Sequence, residues 1–355
     1  MLPYFSLLIV ITITSLLDGK KIDKIIFIGL VLWMLIFSAL RVGGVGTGDY
    51  EAYLQLYSLT DSFEKVINPE IHAEIGFRIL SFIGNYLGFE SQYIIVVMAT
   101  LALLPVTYII YRYSPYKILS LLVLFPYFLT MNMHSSRTSV AAAFGLLFII
   151  NFLNKKWFYA LLSFIVSISF HSSALVLILV LLVMVSLKKL LIFLFSSLIF
   201  LIFLSPFELM IMLFNSIGLD RLSTFVQIYM TSDEYGYPMK VYDPRIILGV
   251  GVVFLIFKCQ KNISRYFGMN YFKIYIIGVL SMIVFSSVVI MAWRLSYFFL
   301  IIGVVVLPML AKVYNEIIYK NIGSKRVMNF IFTILYILYA TPIILNAEPY
   351  KFFLG

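Results

Sequence analysis

Charged residues are scarce. They form 12% of the 355-residue chain, about half of the roughly 25% found in soluble domains. The 26 basic and 16 acidic side chains cannot coat a 40.8 kDa globule, which excludes an ordinary soluble enzyme. Cysteine is nearly absent: Cys259 stands alone, which excludes an internal disulfide framework and a cysteine-based zinc site. The three histidines leave little room for other metal chemistry. No Gly-Lys-Ser/Thr phosphate loop, Ser-His-Asp arrangement or His-Glu-x-x-His pattern is present. The lack of an internal repeat argues against an inverted-repeat transporter.

Apolar residues fill the chain. Hydrophobic residues make up 63%, with 33 Phe and 25 Tyr. That composition predicts an all-α, polytopic membrane bundle whose main solvent is lipid. Twelve apolar stretches are candidate spans: 2–17, 25–40, 93–111, 118–131, 140–153, 158–170, 173–187, 190–205, 246–257, 274–291, 295–311 and 327–345. The first lacks a basic leader and a small-x-small cleavage site, so it is expected to remain as a span. The run 158–187 is almost unbroken, but lysine pairs flank it at 155–156 and 188–189. For both pairs to share a side, the chain must turn at Ser169-Phe-His171-Ser-Ser173.

The charges sort by side. Connections 18–24, 112–117, 154–157, 188–189, 258–273 and 312–326 carry 14 Lys and 3 Arg against three acids. Segments 41–92, 132–139, 171–172, 206–245, 292–294 and the C-terminus carry 3 Lys, 6 Arg and 13 acids. The positive-inside rule puts the lysine-rich set in the cytoplasm and both termini outside. The net charge of +10 is then a topology signal and not a nucleic-acid footprint. The whole chain, 1–355, is expected to be one membrane domain with two long outer loops, 41–92 and 206–245. In the first loop, Ile75, Ile79, Phe82, Ile83, Tyr86 and Leu87 recur at helical spacing, with Glu74, Arg78, Ser81 and Asn85 on another face. This predicts a helix lying in the membrane interface; residues 206–217 could do the same.

Six of the nine arginines fall on the outer side: Arg41, Arg78, Arg137, Arg221, Arg245 and Arg294. Guanidinium grips phosphate or carboxylate with a planar fork, so an outer face rich in Arg suggests an anionic ligand. Pairing with the outer acids is the simpler alternative. Arg137 and Arg294, beside apolar sequence, are the stronger candidates, because charge near hydrocarbon is costly. Arg41-Val-Gly-Gly-Val-Gly-Thr-Gly-Asp49-Tyr50-Glu51-Ala-Tyr53 is a glycine-rich outer turn able to approach a ligand closely. Asp49 and Glu51 could serve a metal or supply a general base, or simply form a solvated turn. Glu74 and Arg78 suit an i,i+4 ion pair, and His72 a surface histidine. His134 and Arg137 share a face if helical. His171 could bond a carbonyl, act as a base or donate to phosphate. Arg294 and Tyr297 share a helix face.

In order along the chain, these segments resemble the EpsG family of Wzy-type polysaccharide polymerases. The matching motifs are Arg41…Gly46-Thr-Gly-Asp49-Tyr50-x-x-Tyr53, Glu74-x-Gly-Phe77, Asn132…Arg137-x-x-x-Ala141, His171-Ser-Ser-Ala174 and Arg294-x-x-Tyr297. Gly48 interrupts the family's Thr-Asp, and Thr138 stands where Gln is frequent. The resemblance implies a helical glycosyltransferase of the GT-C kind in the bacterial inner membrane. It would join oligosaccharide repeat units carried on undecaprenyl diphosphate at the periplasmic face, making O antigen, capsule or exopolysaccharide. On that reading Arg41, Arg137 and Arg294 hold the diphosphate, and Asp49 is the base. His171 orients the substrate or replaces that base. Glu74 and His134 bind substrate, while Tyr50, Tyr53 and Tyr297 line the polysaccharide path. No metal or cofactor is expected; a chain-length regulator is an expected partner. An O-antigen ligase and a lipid-linked oligosaccharide flippase are the alternatives.

Overall fold

The computed structural model describes residues 1–16, 18, 23–45, 49–68, 70–200, 206–218, 220–232, 236–322 and 326–353, the side chains at 200, 206, 209, 221, 222, 225 and 320–322 excepted. The described chain is nearly all α, in two units: Met1–Ala174 with Gly303–Gly355, and Leu175–Ile302.

The first unit begins with α1 (Leu2–Ser15) and α2 (Asp23–Ala39). Strand β1 (Arg41–Val42) comes next, then three short helices, α3 (Tyr50–Leu59), α4 (Phe63–Ile67) and α5 (Ile75–Tyr86). The apolar α6 (Gln92–Tyr113) leads to α7 (Lys117–Tyr127). Pro126 has no N–H to donate, and behind it the helix widens into a π turn, Phe128–Asn132. Then come α8 (Ser136–Leu153) and α9 (Trp157–Phe170). At His171 the backbone is extended (φ −160°, ψ 123°), so the 158–187 run breaks where its polar residues predicted. Beyond the break the chain forms a 3-10 helix, Ser172–Met184, and not a second α-helix.

The second unit contains α10 (Leu187–Phe200), α11 (Pro206–Ser216), α12 (Asp220–Thr231), α13 (Pro244–Lys258), α14 (Gln260–Tyr266), α15 (Asn270–Val284) and α16 (Val289–Leu300). Here the second long loop supplies α11 and α12, whose Phe207 and Val226 form an apolar core with Val288 and Ile290. The chain returns to the first unit through α17 (Gly303–Ile322) and α18 (Val327–Leu345). Strand β2 (Lys351–Phe352) then pairs antiparallel with β1. Tyr350 stacks on Phe37 at 4.1 Å and donates to its carbonyl at 2.9 Å, which straps the tail over the start of the glycine-rich loop.

Among the described residues, each predicted span falls mainly on helical structure, but twelve crossings do not follow. Of those helices, α6, α8 and α18 are long and apolar enough to traverse a bilayer. The apolar run of α13 and α14 is bent by 77°. Leu2–Ser15, Lys117–Asn132, Trp157–Phe170, Ser172–Met184 and Asn270–Val284 are apolar but shorter.

Asp18, in the link after α1, is 1% exposed. Its Oδ2 accepts from Leu119 N at 2.8 Å near the start of α7, and its Oδ1 has no partner among the described residues. Burial pushes this carboxyl up to about 6. An acid whose folded pKa is raised binds its proton more readily folded than unfolded, so stability declines as pH rises from about 4 to about 6. Asp18→Asn keeps an acceptor for Leu119 without the charge. We expect it to raise stability at pH 7.5 by about 2 kcal/mol and to flatten that acid-range slope, by the same linkage. Thermal unfolding in detergent checks this; a lower midpoint at pH 7.5 would contradict it.

Candidate functional site

The first unit brings five predicted residues together where α3, α5 and α8 begin. Glu74 is the N-cap residue of α5. Its Oε2 meets Arg137 Nη1, from the first turn of α8, at 2.7 Å. Its Oε1 accepts from Ser172 N at 3.4 Å and lies 3.9 Å from His171 Nδ1. The expected Glu74–Arg78 pair is therefore replaced by Glu74–Arg137. Arg78 donates instead to the Asn68 carbonyl, because that loop turns back across α5.

Arg137 is wrapped by aromatic faces. Its guanidinium lies 5.7 Å from the Tyr53 ring centroid and 5.9 Å from that of Phe77, a favourable arrangement for a cation. Nη1 also donates to the His72 carbonyl at 3.3 Å, while the His72 side chain is exposed as expected. Nε is buried with no hydrogen-bond partner among the described residues. A buried donor left unmatched costs about 1–3 kcal/mol.

Tyr53 joins this arginine to the proposed base. Its hydroxyl donates to Asp49 Oδ2 at 3.0 Å and accepts from Arg137 N at 3.3 Å. Burial, with the Asp49 carboxylate beside it, pushes the Tyr53 hydroxyl above the usual phenol range. Asp49 is itself the N-cap residue of α3, half-buried. Gly46, Thr47 and Gly48, just before it, lie outside the described residues.

His171 Nδ1 accepts from Ser173 N at 3.2 Å. A donated amide hydrogen fixes the neutral tautomer: the ring proton sits on Nε2. His134 has the opposite tautomer. Its Nδ1 is 2.9 Å from the Val45 carbonyl, which can only accept, so Nδ1 carries the proton. His134 thereby ties the glycine-rich loop to the turn before α8.

The small residues of the motifs have packing reasons. A Cβ on Gly76 would sit 2.8 Å from both the carbonyl oxygen and the Oγ of Ser169, so only glycine lets α5 approach the end of α9. On α8, the Ala141 carbonyl accepts from Ser167 Oγ of α9 at 2.6 Å. These contacts place Glu74, Arg137 and His171 side by side.

Other expectations land elsewhere. Arg41 is 2% exposed. It donates to the Met133 carbonyl (3.3 Å), the Asn132 carbonyl (3.5 Å) and Ser136 Oγ (3.2 Å), closing the break between the π turn and α8. Burial pulls its guanidinium down to about 10. Arg41 thus faces the interior and positions the residues next to Arg137. Tyr50, Tyr53 and Tyr297 are buried, so none offers its ring to a polysaccharide at the surface. Tyr50 donates to Gln92 Oε1 at 2.8 Å, and Gln92 donates to the carbonyls of Ala39 and Arg41. Gln92 escaped sequence reasoning; its only signal is an amide at the start of an apolar run. In the second unit, Arg294 Nη1 donates to the Tyr229 hydroxyl at 3.0 Å, with the guanidinium 5.8 Å from that ring. Arg245 pairs with Asp243 at 2.8 Å, the simpler of its two readings. The Arg221 side chain lies outside the described residues. Among the described residues, no group of three or more His, Cys, Asp or Glu side chains could hold a metal ion.

The arrangement can hold an anion. The N-termini of α3, α5 and α8 lie beside it, each with the positive end of a helix dipole. It also sets a carboxylate, able to accept a proton, near an imidazole whose Nδ1 already accepts from Ser173 N. These features define a helical membrane protein with a polar cluster at the ends of its helices. The chain belongs to the EpsG family, which it matches over residues 4–353. No curated protein and no solved structure matches it. EpsG membership suggests a polymerase-like role in polysaccharide biosynthesis.

Proposed function

We propose that this protein is a polysaccharide polymerase of the bacterial inner membrane, working at the periplasmic face on oligosaccharide repeat units linked to undecaprenyl diphosphate. The acceptor hydroxyl oxygen attacks the anomeric carbon of the growing chain. The bond from that carbon to the diphosphate oxygen breaks, and its electron pair leaves with the lipid diphosphate. The acceptor's proton passes to the Asp49 carboxylate, while His171, with Nδ1 already accepting from Ser173 N, orients the substrate as a donor through Nε2.

Arg137 holds the diphosphate and stabilises the charge growing on it, which such preorganised donors do best in a water-poor site. Glu74 fixes the guanidinium and the Ser172 amide and leaves sugar contacts to neighbouring groups. Arg41 acts through the turn it closes. The observation that carries this reading is the Arg137 guanidinium, held by Glu74 at 2.7 Å against the Tyr53 and Phe77 rings with 21% of its side chain still exposed. A phosphate oxygen would meet that exposed part. The lysine-rich connections support the orientation with this cluster outside. A chain-length regulator is the proposed protein partner.

Gene deletion in the native host, with surface polysaccharide resolved by size, tests the reading. Polymerase loss leaves single-repeat material on the surface. Loss of all surface repeats would instead point to a ligase or flippase.

A further inference from the structure

Helix α5 is inside-out for a helix on a water-facing surface. Its inward face is small or polar: Gly76, Ser81 and Gly84 are buried with Phe77, and Asn85 Nδ2 donates to the carbonyls of Tyr57 and Thr60. Its outward face is branched hydrocarbon. Ile75, Ile79 and Ile83 are 38%, 43% and 40% exposed, and Leu87 is 58% exposed. They recur every four residues and so form one stripe.

Both ends of α5 are tied to the same end of the bundle. Glu74 is held by Arg137 at the start of α8. At the other end, Gly84 packs on Tyr93 in the first turn of α6, with room for no Cβ: one would lie 2.5 Å from the ring. Both α6 and α8 have the length and hydropathy of spanning helices. A 12-residue helix is about 18 Å long. Pinned between two such helix starts, α5 runs along the membrane boundary and not across it. A second exposed apolar face lies on the neighbouring α9. The outward face of α9 (Phe158, Leu161, Leu162, Ile165) is exposed, and α9 ends against α5 where Ser169 meets Gly76.

We infer that the Ile75–Ile79–Ile83–Leu87 face is a lipid-contact surface seated on the bilayer. It holds the Glu74–Arg137–His171 cluster at headgroup level. Hydrocarbon is the occupant, because the stripe carries no charge and adjoins the faces of membrane-length helices. This placement stands apart from the reaction the cluster performs.

The chain's single cysteine makes the test direct. In a Cys259→Ala background reconstituted in phospholipid vesicles, spin labels are placed by Ile79→Cys and Ile83→Cys. Ile165→Cys gives a lipid reference, and Glu64→Cys, on the exposed part of α4, a water reference. Relaxation by oxygen, which dissolves in hydrocarbon, is compared with relaxation by a water-soluble nickel chelate. The expected oxygen-to-nickel ratio at 79 and 83 matches that at 165 and exceeds that at 64 several-fold. A ratio like that at 64 overturns the inference, since the face would then lie in water. Weak relaxation by both reagents also overturns it, since protein, such as a second copy of the chain, would then cover the stripe. Neither outcome depends on polymerase activity, so failure here is separate from failure of the functional reading.

Discussion

Replacing Arg137 by glutamine lowers the rate of polymerisation by about 100- to 1,000-fold, the loss typical when one preorganised donor to a developing negative charge is removed. The side chain loses its charge, and Glu74 then faces the Ser172 amide and His171 alone. Arg137→Lys restores the charge without the planar fork that lies over Tyr53 and Phe77. It should recover only part of the rate, because lysine cannot match both the carboxylate and an added phosphate with one flat group. Rates are measured on purified, reconstituted protein, after reporter fusions establish normal insertion. A glutamine variant that polymerises at the wild-type rate would remove Arg137 from the mechanism.

Gly76→Ala should have the next largest effect, though it adds a single methyl. The new carbon would meet the Ser169 carbonyl oxygen at 2.8 Å. Backbone yields less readily than a side-chain tip, so α5 and the end of α9 must separate. Overpacking of this kind costs about 1–3 kcal/mol. More telling is the geometry: Glu74 sits two residues before the methyl, and His171 two residues after Ser169. Misplacing reacting groups by an ångström costs on the order of 100-fold in rate. Activity should therefore drop far more than the thermal midpoint. Equal, small changes in both would show that α5 does not set the cluster.

Helix positions were legible in the sequence because apolar runs, prolines and lysine pairs are local signals. The break at His171 followed from the flanking lysine pairs together with the polar residues 169–173. The number of crossings was not legible: α1, α7 and α9 are apolar but short, so composition identifies the helices without saying how many cross the membrane. Within the cluster, sequence reasoning named Asp49, Glu74, Arg137 and His171 but gave Glu74 the wrong partner. Glu74 lies four residues from Arg78, so helical spacing favoured that pair. The tertiary approach of α5 to α8 and α9, permitted by Gly76, selects Arg137 instead. Arg41 and the tyrosines carried the right chemistry for binding, but pattern alone says nothing of burial, and they proved to be interior. Gln92 and Asp18 were missed as partners because the groups they bond, mostly backbone, are distant in sequence. The inverted face of α5 shows the same limit. Its apolar stripe was plain, whereas the small, polar face packed inward emerges only once the helix is placed.

The most direct measurement supplies purified protein in vesicles with a single substrate, a repeat unit linked to undecaprenyl diphosphate. Polymer length and released lipid diphosphate are followed together. The account predicts a ladder of products, with one undecaprenyl diphosphate freed for each glycosidic bond formed and both signals falling together in Arg137→Gln. Elongation that frees no lipid diphosphate, or that proceeds undiminished in that variant, would contradict it.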